Sequence, residues 1–391
     1  MTRGDAEAAD YHIGVHDDAA SVDAAAWDAL LARQAHPIPF LKHAFTAALQ
    51  RSGSATPDAG WALQWLTVHR GDTLVGGVVM WLKGHSYGEY VFDWAWADAY
   101  RRHGLPYYPK LLAAVPFTPV PGTRLVAVDD EARTVLIEAM EALCRQGRLS
   151  SAHLLFPDAV DRDALEKAGW MIREGVQFHW RQDPEHPLQD FAGLLARLTR
   201  DKRKKIQQER RRVADAGVTF RILEGQAIGK ADWDFFYQCY SMTYAAHHST
   251  PYLSRSFFEE MARHLPQHWV MFVAERDGRP VASSLVAVDR QTGAAWGRYW
   301  GCVESIDCLH FEACYYQPLQ WCIAQGLQRF EGGAQGEHKM ARGLLPTPTC
   351  SAHWLRDPRF ADAVADFLAR EGQGVSAYID ELRERSPFKE L

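Results

Sequence analysis

The stretch WALQWLTVHRGDTLVGGVVMWLKG, residues 61–84, determines our fold prediction. Two runs rich in β-branched and aromatic residues flank a Gly-Asp dipeptide, a pattern that predicts two strands joined by a tight turn. The stretch HWVMFVAERDGRPVASSLVAVD, residues 268–289, has the same layout around an Asp-Gly dipeptide. A hairpin repeated at this separation indicates a duplicated domain.

The surroundings of the two hairpins are also alike. Helical patterns precede each one: SVDAAAWDALLARQ and LKHAFTAALQR before the first, KADWDFFYQCYSMTYAA and SRSFFEEMARHL before the second. An aromatic strand is predicted directly after each hairpin, EYVFDWAW in the first half and AAWGRYWG in the second. The sequence therefore predicts two repeats, each with helices packed on a sheet.

Each half then continues as a helix, a short strand and another helix. In the first half these are EARTVLIEAMEALCRQG, SAHLLF and DAVDRDALEKAG. In the second they are a helix around 317–326, the strand LQRFEGG, and a last helix whose start is marked by Asp357 and Pro358. The proline-containing stretch RQDPEHPL, residues 181–188, is the predicted joint, which divides the chain into domains 1–182 and 183–391.

Composition favours a folded, soluble protein. The 391 residues are 47% apolar and carry a net charge of −6, so any affinity for an anionic polymer must come from local clusters of bases. The N-terminus lacks an apolar signal region and no stretch reaches eighteen apolar residues, which predicts a cytoplasmic protein without a membrane span. Seven cysteines fit no zinc spacing, so we predict buried thiols and no metal site.

A resemblance to known proteins follows from these elements. A hairpin, a helix and a strand ending in a glycine pair form the layout of the GNAT (Gcn5-related acyltransferase) fold, and two such units resemble the Fem-type transferases. Those proteins carry a glycine, an aromatic-acid-Gly-Gly run and a later lysine, matched here by Gly326, FEGG at 330–333 and Lys339. HSYGEYVFDWAWADAY, GRYWGC, FEGGAQGEHKMARG and SAHW are similar to the FemAB-like "peptidoglycan biosynthesis/recognition" family of predicted N-acyltransferases.

The resemblance spans nearly the whole chain and implies two tandem GNAT-like domains of the α+β class, each a mixed, mostly antiparallel sheet flanked by helices. It implies transfer of an acyl or aminoacyl group to an amine acceptor, such as a peptidoglycan precursor or a peptide. The donor would be acyl-CoA or aminoacyl-tRNA, with no tightly bound cofactor. The catalytic half would be the second.

The sequence departs from ordinary GNAT enzymes at one point. Those enzymes hold the coenzyme A pyrophosphate on an Arg/Gln-x-x-Gly-x-Gly/Ala turn that opens a helix. Here VESIDCLHFE follows GRYWGC, without a glycine. This weighs against an ordinary acetyl-CoA binding mode; Fem-type transferases, whose donor is aminoacyl-tRNA, lack the turn too.

The loop EGGAQGEHKMARGL, residues 331–344, is the predicted active site. Acyl transfer to an amine needs a base for the ammonium proton and donors for the tetrahedral oxyanion, and this loop supplies both residue types. The predicted catalytic residues are Glu337, His338 and Lys339, with Glu337 or His338 as the base. The predicted substrate-binding residues of the loop are Glu331, Gly332, Gly333, Gln335 and Arg342. A solvated glycine-rich turn is the alternative.

Two neighbouring stretches of the second half, GRYWG and LHFEACYY, add Arg298, Tyr299, His310 and Glu312 as substrate-binding candidates. Pro318 either starts or kinks the following helix; if it starts the helix, His310 and Glu312 lie in the preceding loop, near the same pocket. Capping and structural polar roles are the alternative for both.

The first half mixes aromatic rings with charges in residues 85–110. Aromatic faces beside carboxylates suit a sugar or an ammonium group. Tyr87, Glu89, Asp93 and Lys110 are therefore predicted to bind the acceptor. The alternative is a core strand.

Residues 194–217 form a predicted amphipathic helix with a basic outer stripe of Arg200, Arg203, Lys204, Arg210 and Arg211. This stripe is a candidate binding surface for tRNA or other phosphates, and a solvated helix face is the alternative.

We therefore predict a cytoplasmic N-acyltransferase, with tRNA as one candidate partner. A monomer is plausible because a tandem GNAT pair resembles an internal dimer. Two other functions stay open: a non-catalytic protein that recognises a glycan or muropeptide, and an RNA-binding protein that uses the basic helix.

Overall fold

The computed structural model of the chain describes residues 11–333 and 336–389. The strands are β1 (Tyr11–His16), β2 (Trp61–Arg70), β3 (Thr73–Lys83), β4 (Lys110–Ala113), β5 (Val126–Ala127), β6 (Ser151–Leu155), β7 (Met171–Arg181), β8 (Val218–Glu224), β9 (Trp269–Arg276), β10 (Arg279–Asp289), β11 (Ala294–Cys302), β12 (Arg329–Glu331) and β13 (Leu345–Leu355).

The helices are α1 (Ala24–Ala32), α2 (His43–Arg51), α3 (Trp94–Arg102), α4 (Asp130–Gln146), α5 (Ala159–Lys167), α6 (Phe191–Arg197), α7 (Arg200–Asp215), α8 (Lys230–Ala246), α9 (Arg255–His264), α10 (Leu309–Phe311), α11 (Gln317–Ala324) and α12 (Pro358–Glu384). A π-helical turn, Glu312–Tyr316, joins α10 to α11. Within the described part of the chain, no helix combines the length and the apolar character that crossing a bilayer requires.

All these strands join in one sheet, in the order β1-β2-β3-β4-β6-β13-β7-β12-β11-β10-β9-β8, with β5 paired to β3. The order is symmetrical: β1, β2, β3, β4 and β6 on one side correspond to β8, β9, β10, β11 and β12 on the other. The predicted α+β fold built from a duplicated unit is therefore confirmed. The two predicted sheets are, however, fused into one.

The fusion comes from an exchange of strands. β7, the last strand of the first half, pairs with β12, and β13, the last strand of the second half, pairs with β6. β7 and β13 pair with each other around Gly175 and Thr349. We keep the division into 1–182 and 183–391 as a proposal for the two repeats, and the sheet continues across it.

Both hairpins form as the sequence predicts. β2 and β3 are joined through Gly71, which adopts a left-handed φ of 58°. β9 and β10 are joined by Asp277 and Gly278, with φ values of 53° and 71°. Positive φ at both central residues is the type I′ geometry, which matches the twist of the flanking strands.

Most predicted helices and strands are also present. The stretches predicted before the hairpins form α1, α2, α8 and α9, and those after them form α4, β6, α5, α11 and β12. The last helix begins as expected, because Asp357 accepts from the Arg359 backbone N–H and Pro358 occupies the first turn.

The prediction of a strand for EYVFDWAW is wrong. Residues 89–93 form a loop, and Trp94 begins α3. The physical reason is that Glu89 and Asp93 turn inward to the buried Lys110 ammonium. Tyr90 between them adopts a left-handed φ of 64°, which a strand residue does not.

The single helix predicted for 194–217 is also wrong, because the chain breaks between α6 and α7. Leu198 is extended and forms a bridge with Phe388, while the Thr199 N–H donates to the Pro387 carbonyl. Pairing with the end of the chain thus replaces the helical hydrogen bonds at this point.

Candidate active site

A cleft opens in the second half where two parallel strands part. β11 and β12 pair over only three residue pairs, from Ala294–Arg329 to Trp296–Glu331. β11 then continues to Cys302, whereas β12 ends at Glu331. We name the space between Gly297–Trp300 and Gly332–Gly333 the cleft.

Two cavities occupy the cleft. One of about 370 Å³ is lined by the cleft residues, by Tyr240 and Tyr244 of α8, and by Tyr90 and Pro119 of the first half. The other, of about 140 Å³, is lined by Gly297–Trp300 and Gly332 with His310, Cys314 and Tyr315. Among its lining residues the larger cavity carries tyrosines and Arg298, so it combines aromatic faces with a cation.

The glycine pair after β12 has a steric reason. A Cβ at Gly332 would lie 2.6 Å from Leu344 Cδ2 and 3.2 Å from Lys339 Cδ, and Gly333 adopts a φ of 85°. A side chain at Gly332 would therefore displace the Leu344 and Lys339 side chains, and the left-handed backbone at Gly333 favours glycine. Gln335, which we predicted to bind substrate, lies outside the described residues.

Lys339 is the cation directly beneath this turn. It is 3% exposed, and its Nζ donates a 2.9 Å hydrogen bond to the Gly333 carbonyl. Burial lowers the pKa of Lys339 to about 8. The ammonium group of Lys339, a predicted catalytic residue, thus lies beside a residue of the cleft.

His338 connects to the cleft through Tyr315. Its Nε2 lies 3.1 Å from the Tyr315 hydroxyl, and Tyr315 lines the smaller cavity. Burial, together with Arg342 and Lys339, lowers the pKa of His338 below its usual value, so the ring is neutral at pH 7. Burial raises the pKa of Tyr315, which keeps the phenol protonated.

Glu337 faces away toward the end of the chain. Its carboxylate accepts from the Tyr378 hydroxyl at 2.5 Å and lies 3.5 Å from Arg385. The side chain is exposed. These contacts tie Glu337 to α12 and the turn after it, which favours His338 over Glu337 as the base.

Glu331 ends β12 as a buried carboxyl group. It is 2% exposed, lies 2.9 Å from Arg329, and has its Oε2 3.9 Å from His179 Nε2. Among the described residues Oε2 has no hydrogen-bond partner. Burial raises the pKa of Glu331 to about 7.

Arg298 and Tyr299 border both cavities, as their predicted role requires. Arg298 donates to the Phe117 carbonyl at 2.9 Å, and its guanidinium lies 5.1 Å from the Tyr299 ring centroid. His310 also lines the smaller cavity, and burial lowers its pKa to about 4, so this ring is neutral too.

The loop placement is wrong for both residues: His310 lies in α10, and Glu312 does not lie in a loop before the helix either. It belongs to the π-helical turn, is 3% exposed, and is held by Arg210 of α7 and by Gln317. The Ser284 hydroxyl donates to the Ala313 carbonyl at 2.6 Å, which satisfies a carbonyl within this turn. Glu312 therefore carries a structural ion pair.

Arg342 is likewise neutralised within the fold. It is 3% exposed, pairs with Glu209 of α7, and lies 3.5 Å above the Phe311 ring. It also donates to the His338 carbonyl at 2.6 Å. Arg342 thus holds the His338 backbone in place.

Only part of the basic stripe of α7 is available to bind a ligand. Arg210 is occupied by Glu312 and Gln320. Arg200, Lys204 and Arg211 are exposed, and Arg203 is half-buried. Four of the five predicted phosphate-binding residues therefore stay candidates for that role.

In the first half, the position that corresponds to the cleft, between β4 and β6, is covered by protein. β4 and β6 also pair in parallel over three residue pairs, but the chain after β4 is buried there, including Val115, Phe117 and Val120. The Gly122 N–H donates to the Phe156 carbonyl, so this segment turns back over the end of β6. This asymmetry favours the second half as the catalytic one.

Three of the four first-half candidates are brought together, and these three are buried. Lys110 donates to Ser86 at 2.9 Å, to Glu89 at 2.7 Å and to Asp93. Glu89 and Asp93 are 4% and 3% exposed. We name Lys110, Glu89 and Asp93 the buried ion cluster. Tyr87 alone is exposed.

A second buried lysine, Lys83, lies beside the buried ion cluster, and no sequence pattern singled it out. Its Nζ lies 4.0 Å from Glu89 Oε1 and 3.4 Å from the Trp61 ring centroid. Burial lowers the pKa of Lys83 to about 7, whereas burial raises the pKa of Glu89 to about 7.

A chain of hydrogen bonds runs from this cluster to β13. Tyr107 donates to Asp93 at 2.6 Å and contacts His153 Nε2 at 3.1 Å. His153 Nδ1 lies 2.7 Å from His353 Nδ1, and His353 Nε2 lies 2.8 Å from the Ser351 hydroxyl. One of these two nitrogens carries the proton of the N–H···N bond and the other accepts it. Burial lowers the pKa of both rings, so both are neutral.

We missed this histidine pair, although the sequence carried a signal for it. The tripeptide Ser-Ala-His occurs at 151–153 and again at 351–353. Alternation puts Ser and His of each tripeptide on one face of a strand, and β6 and β13 pair with His153 opposite His353. Repeated polar residues in otherwise apolar strands indicate such a buried pair.

The histidine pair predicts acid sensitivity. Burial lowers the pKa of His153 to about 3 and that of His353 well below its usual value, so as pH falls below 6.5 the unfolded chain takes up protons first. Stability is thus lost from about pH 6.5 downward, by on the order of 2 kcal/mol per ring between pH 6.5 and pH 5.

Urea unfolding at pH 7 and pH 5 checks this expectation. His353→Gln should show a loss between the two pH values that is smaller by about 2 kcal/mol than in the wild type. The exposed His103→Gln variant is the control and should keep the wild-type difference. Equal differences in all three proteins would contradict neutral buried rings.

Comparison with known proteins adds the family. The FemAB-like family model, described as peptidoglycan biosynthesis/recognition, matches residues 18–390. The chain belongs to the FemAB-like family. The resemblance predicted from the sequence is thereby confirmed. No curated protein matches this FemAB-like chain.

Solved structures share the fold of this FemAB-like protein at low identity. FemX is 11% identical with a TM-score of 0.54, covering 88% of this chain and 98% of its own. L-PGS from Bacillus licheniformis is 11% identical with a TM-score of 0.54, covering 89% and 96%. The C-terminal DUF2156 domain of a putative lysylphosphatidylglycerol synthetase from Agrobacterium fabrum is 14% identical with a TM-score of 0.51, covering 89% and 95%.

The prediction of buried thiols holds for four of the seven cysteines, while Cys302, Cys308 and Cys314 are half-buried. All seven are free thiols, and Cys144, Cys239, Cys322 and Cys350 are buried. In residues 11–333 and 336–389, no group of three or more His, Cys, Asp and Glu side chains could hold a metal ion.

Proposed function

We propose that this FemAB-like protein is an N-acyltransferase that transfers an acyl or aminoacyl group to the amine of a peptidoglycan precursor or peptide. The observation that carries the proposal is the cleft between β11 and β12, with the Lys339 ammonium bonded to one of its residues. The family description, peptidoglycan biosynthesis/recognition, supports an acceptor of this kind.

In the proposed mechanism the acceptor amine attacks the donor carbonyl within the cleft. The ammonium proton leaves through Tyr315: its oxygen accepts that proton while its hydroxyl proton passes to Nε2 of neutral His338. Lys339 stabilises the oxyanion that forms as the C–N bond is made. As the carbonyl re-forms, the bond between the acyl carbon and the donor's leaving group breaks, and the proton on His338 returns through Tyr315 to that group.

Arg298, Tyr299, His310 and Glu331 surround the reacting groups in this proposal. Arg298 lies where it can contact an anionic part of the donor or acceptor, and the Tyr299 ring offers an apolar face. Gly332 and Gly333 let the substrate approach the backbone.

Aminoacyl-tRNA fits the site better than acyl-CoA as the donor. The helix after β11 has no glycine turn before it, and the buried Glu312 carboxylate lies in the π-helical turn near its start. A carboxylate there disfavours a pyrophosphate, which binds helix N-termini through exposed N–H groups. The exposed Arg200, Lys204 and Arg211 of α7 offer contacts for tRNA phosphates.

The test is a transfer assay with two donors. The purified chain is incubated with a mixed pool of aminoacyl-tRNA or with acetyl-CoA, together with a muropeptide that carries a free amine, and products are identified by mass spectrometry. We expect an aminoacylated muropeptide only with the tRNA pool. Product from acetyl-CoA alone would reverse the donor assignment, and no product from either donor would overturn the transferase proposal.

A further inference from the structure

A cavity of about 270 Å³ lies where β10 ends and β11 begins. The end of α1 and the chain after it, up to Lys42, form its first-half wall, and His268 and Asp289 belong to its second-half wall. We name it the β10 cavity. Among the described residues it shares none of its lining with the two cavities of the cleft, which begins at Gly297, further along β11. The transfer mechanism proposed above does not use it.

The second-half wall offers two buried hydrogen-bond acceptors. His268 is 9% exposed, and burial lowers its pKa, so the ring is neutral at pH 7. Its Nδ1 donates a 2.8 Å hydrogen bond to the Val288 carbonyl, which leaves Nε2 as an acceptor. Asp289 is 8% exposed, and its Oδ1 accepts from the Gln291 N–H. In the described part of the chain, neither His268 Nε2 nor Asp289 Oδ2 has a hydrogen-bond partner.

The first-half wall supplies a cation. The Lys42 ammonium makes no hydrogen bond to residues 11–333 or 336–389, and its ion pair with Asp28 is as long as 4.0 Å. Lys42 and Asp289 act on the pKa of His268 in opposite directions, so both charges lie near this ring. The β10 cavity therefore holds one positive group and one negative group, each able to accept a further partner.

The rest of the lining is apolar or already bonded. Leu31 and Ile38 are each 2% exposed and face the cavity together with two prolines of the chain after α1. Arg290 is occupied, because it donates to Glu224 at 2.6 Å and to the Gln267 carbonyl at 3.1 Å. A concave, mostly apolar lining with a few placed polar groups is typical of a site for a small molecule.

A ligand that satisfies these groups carries an ammonium group, a carboxylate and an apolar part. A carboxylate and a neutral imidazole nitrogen both accept from an ammonium group, and a lysine donates to a carboxylate. Buried polar atoms without partners cost free energy, which a ligand that pairs with them recovers. We propose that the β10 cavity binds a free amino acid with an apolar side chain, its ammonium on Asp289 and His268 and its carboxylate on Lys42.

Calorimetry of the full chain with L-valine, L-leucine and L-phenylalanine tests the binding. We expect saturable binding of at least one of them. Its methyl ester, which lacks the carboxylate, and its N-acetyl derivative, which lacks the ammonium, should each bind roughly tenfold more weakly or worse. No saturable binding of any of the three amino acids would overturn the proposal, and equal affinity of either derivative would overturn the zwitterion as the ligand.

Two pairs of variants locate the bound amino acid. Ala32 is exposed and lines the β10 cavity, so Ala32→Phe should narrow it and weaken binding by about tenfold or more. Ala35 is exposed three residues further along and does not line it, so Ala35→Phe should keep the wild-type affinity. Lys42→Met should likewise weaken binding, whereas Lys230→Met, at an exposed ion pair on α8, should not.

The same titrations separate this site from the cleft. Tyr90→Ala alters a residue that lines the larger cavity of the cleft and should leave the affinity for the amino acid unchanged. Equal effects of Ala32→Phe and Ala35→Phe, or loss of binding in Tyr90→Ala, would overturn the location. Because neither donor nor acceptor is present, a failure of the proposed transferase function would leave these results unaffected.

Discussion

Replacement of Lys110 by methionine is expected to lower the free energy of unfolding by about 3–5 kcal/mol. Lys110 is fully buried and binds Ser86, Glu89 and Asp93. Its removal leaves two buried carboxylates without their shared cation, and a buried unpaired charge is costly. Burial alone would raise the pKa of Asp93, but the Lys110 ammonium and its hydrogen bond lower it well below its usual value, so this carboxylate is ionised at pH 7. Urea unfolding at pH 7 measures the loss.

A surface lysine and a compensating double variant serve as controls. Lys230→Met breaks an exposed i,i+4 pair with Asp234 and should cost less than about 1 kcal/mol. Adding Asp93→Asn to Lys110→Met should recover part of the loss, because the ionised Asp93 carboxylate that was left without its cation is removed. A loss for Lys110→Met as small as that for Lys230→Met would show that the cluster does not carry the stability of this loop.

The sequence predicted the repeats well because each repeat is defined locally. The hairpin β9–β10 needs only alternating apolar residues and an Asp-Gly turn, and α12 needs only its cap and spacing. The exchange of β7 and β13 could not be predicted in this way. A strand gives the same local pattern whether its partner belongs to its own half or to the other.

The same dependence on distant partners explains the two elements that were predicted wrongly. EYVFDWAW has the composition of a strand, but Glu89 and Asp93 are drawn to Lys110, about twenty residues further along. The break between α6 and α7 depends on Phe388, at the far end of the chain. Long-range partners overrode the local preference in both places.

Site residues were predictable as a group and not as individual contacts. The loop 331–344 was singled out for its residue types, and Lys339 indeed lies under Gly333. The sequence did not show that Glu337 binds Tyr378 or that Arg342 is bound by Glu209. His179 and Arg329, which surround Glu331, were missed because single polar residues within apolar strands give no local signal of a shared site.

Replacement of Lys339 by methionine is expected to lower the transfer rate by a factor of about 10²–10³, the usual effect of losing one oxyanion donor. Methionine keeps the length of the side chain and removes the ammonium group that contacts Gly333. The fold should persist, because the variant loses one hydrogen bond worth about 1 kcal/mol. Lys389→Met is the matched control: that lysine also donates to a backbone carbonyl, Ala196, but at the exposed end of the chain. Steady-state transfer rates of the wild type, Lys339→Met and Lys389→Met, measured with the same donor and acceptor, test this expectation.

The dependence of kcat/KM on pH shows whether Lys339 supports activity through its charge or only through its packing. The pKa of Lys339 is lowered to about 8, so its ammonium is lost, and activity should fall, above pH 8. The pKa of His338 is lowered below its usual value, so the base is already neutral at pH 7 and activity should fall only on the acid side of that pH. Lys339→Arg keeps its charge well above pH 10, and the alkaline fall should disappear in this variant even if its plateau is lower. An alkaline fall that stays at the same pH in Lys339→Arg would assign it to another group and leave Lys339 with a packing role alone.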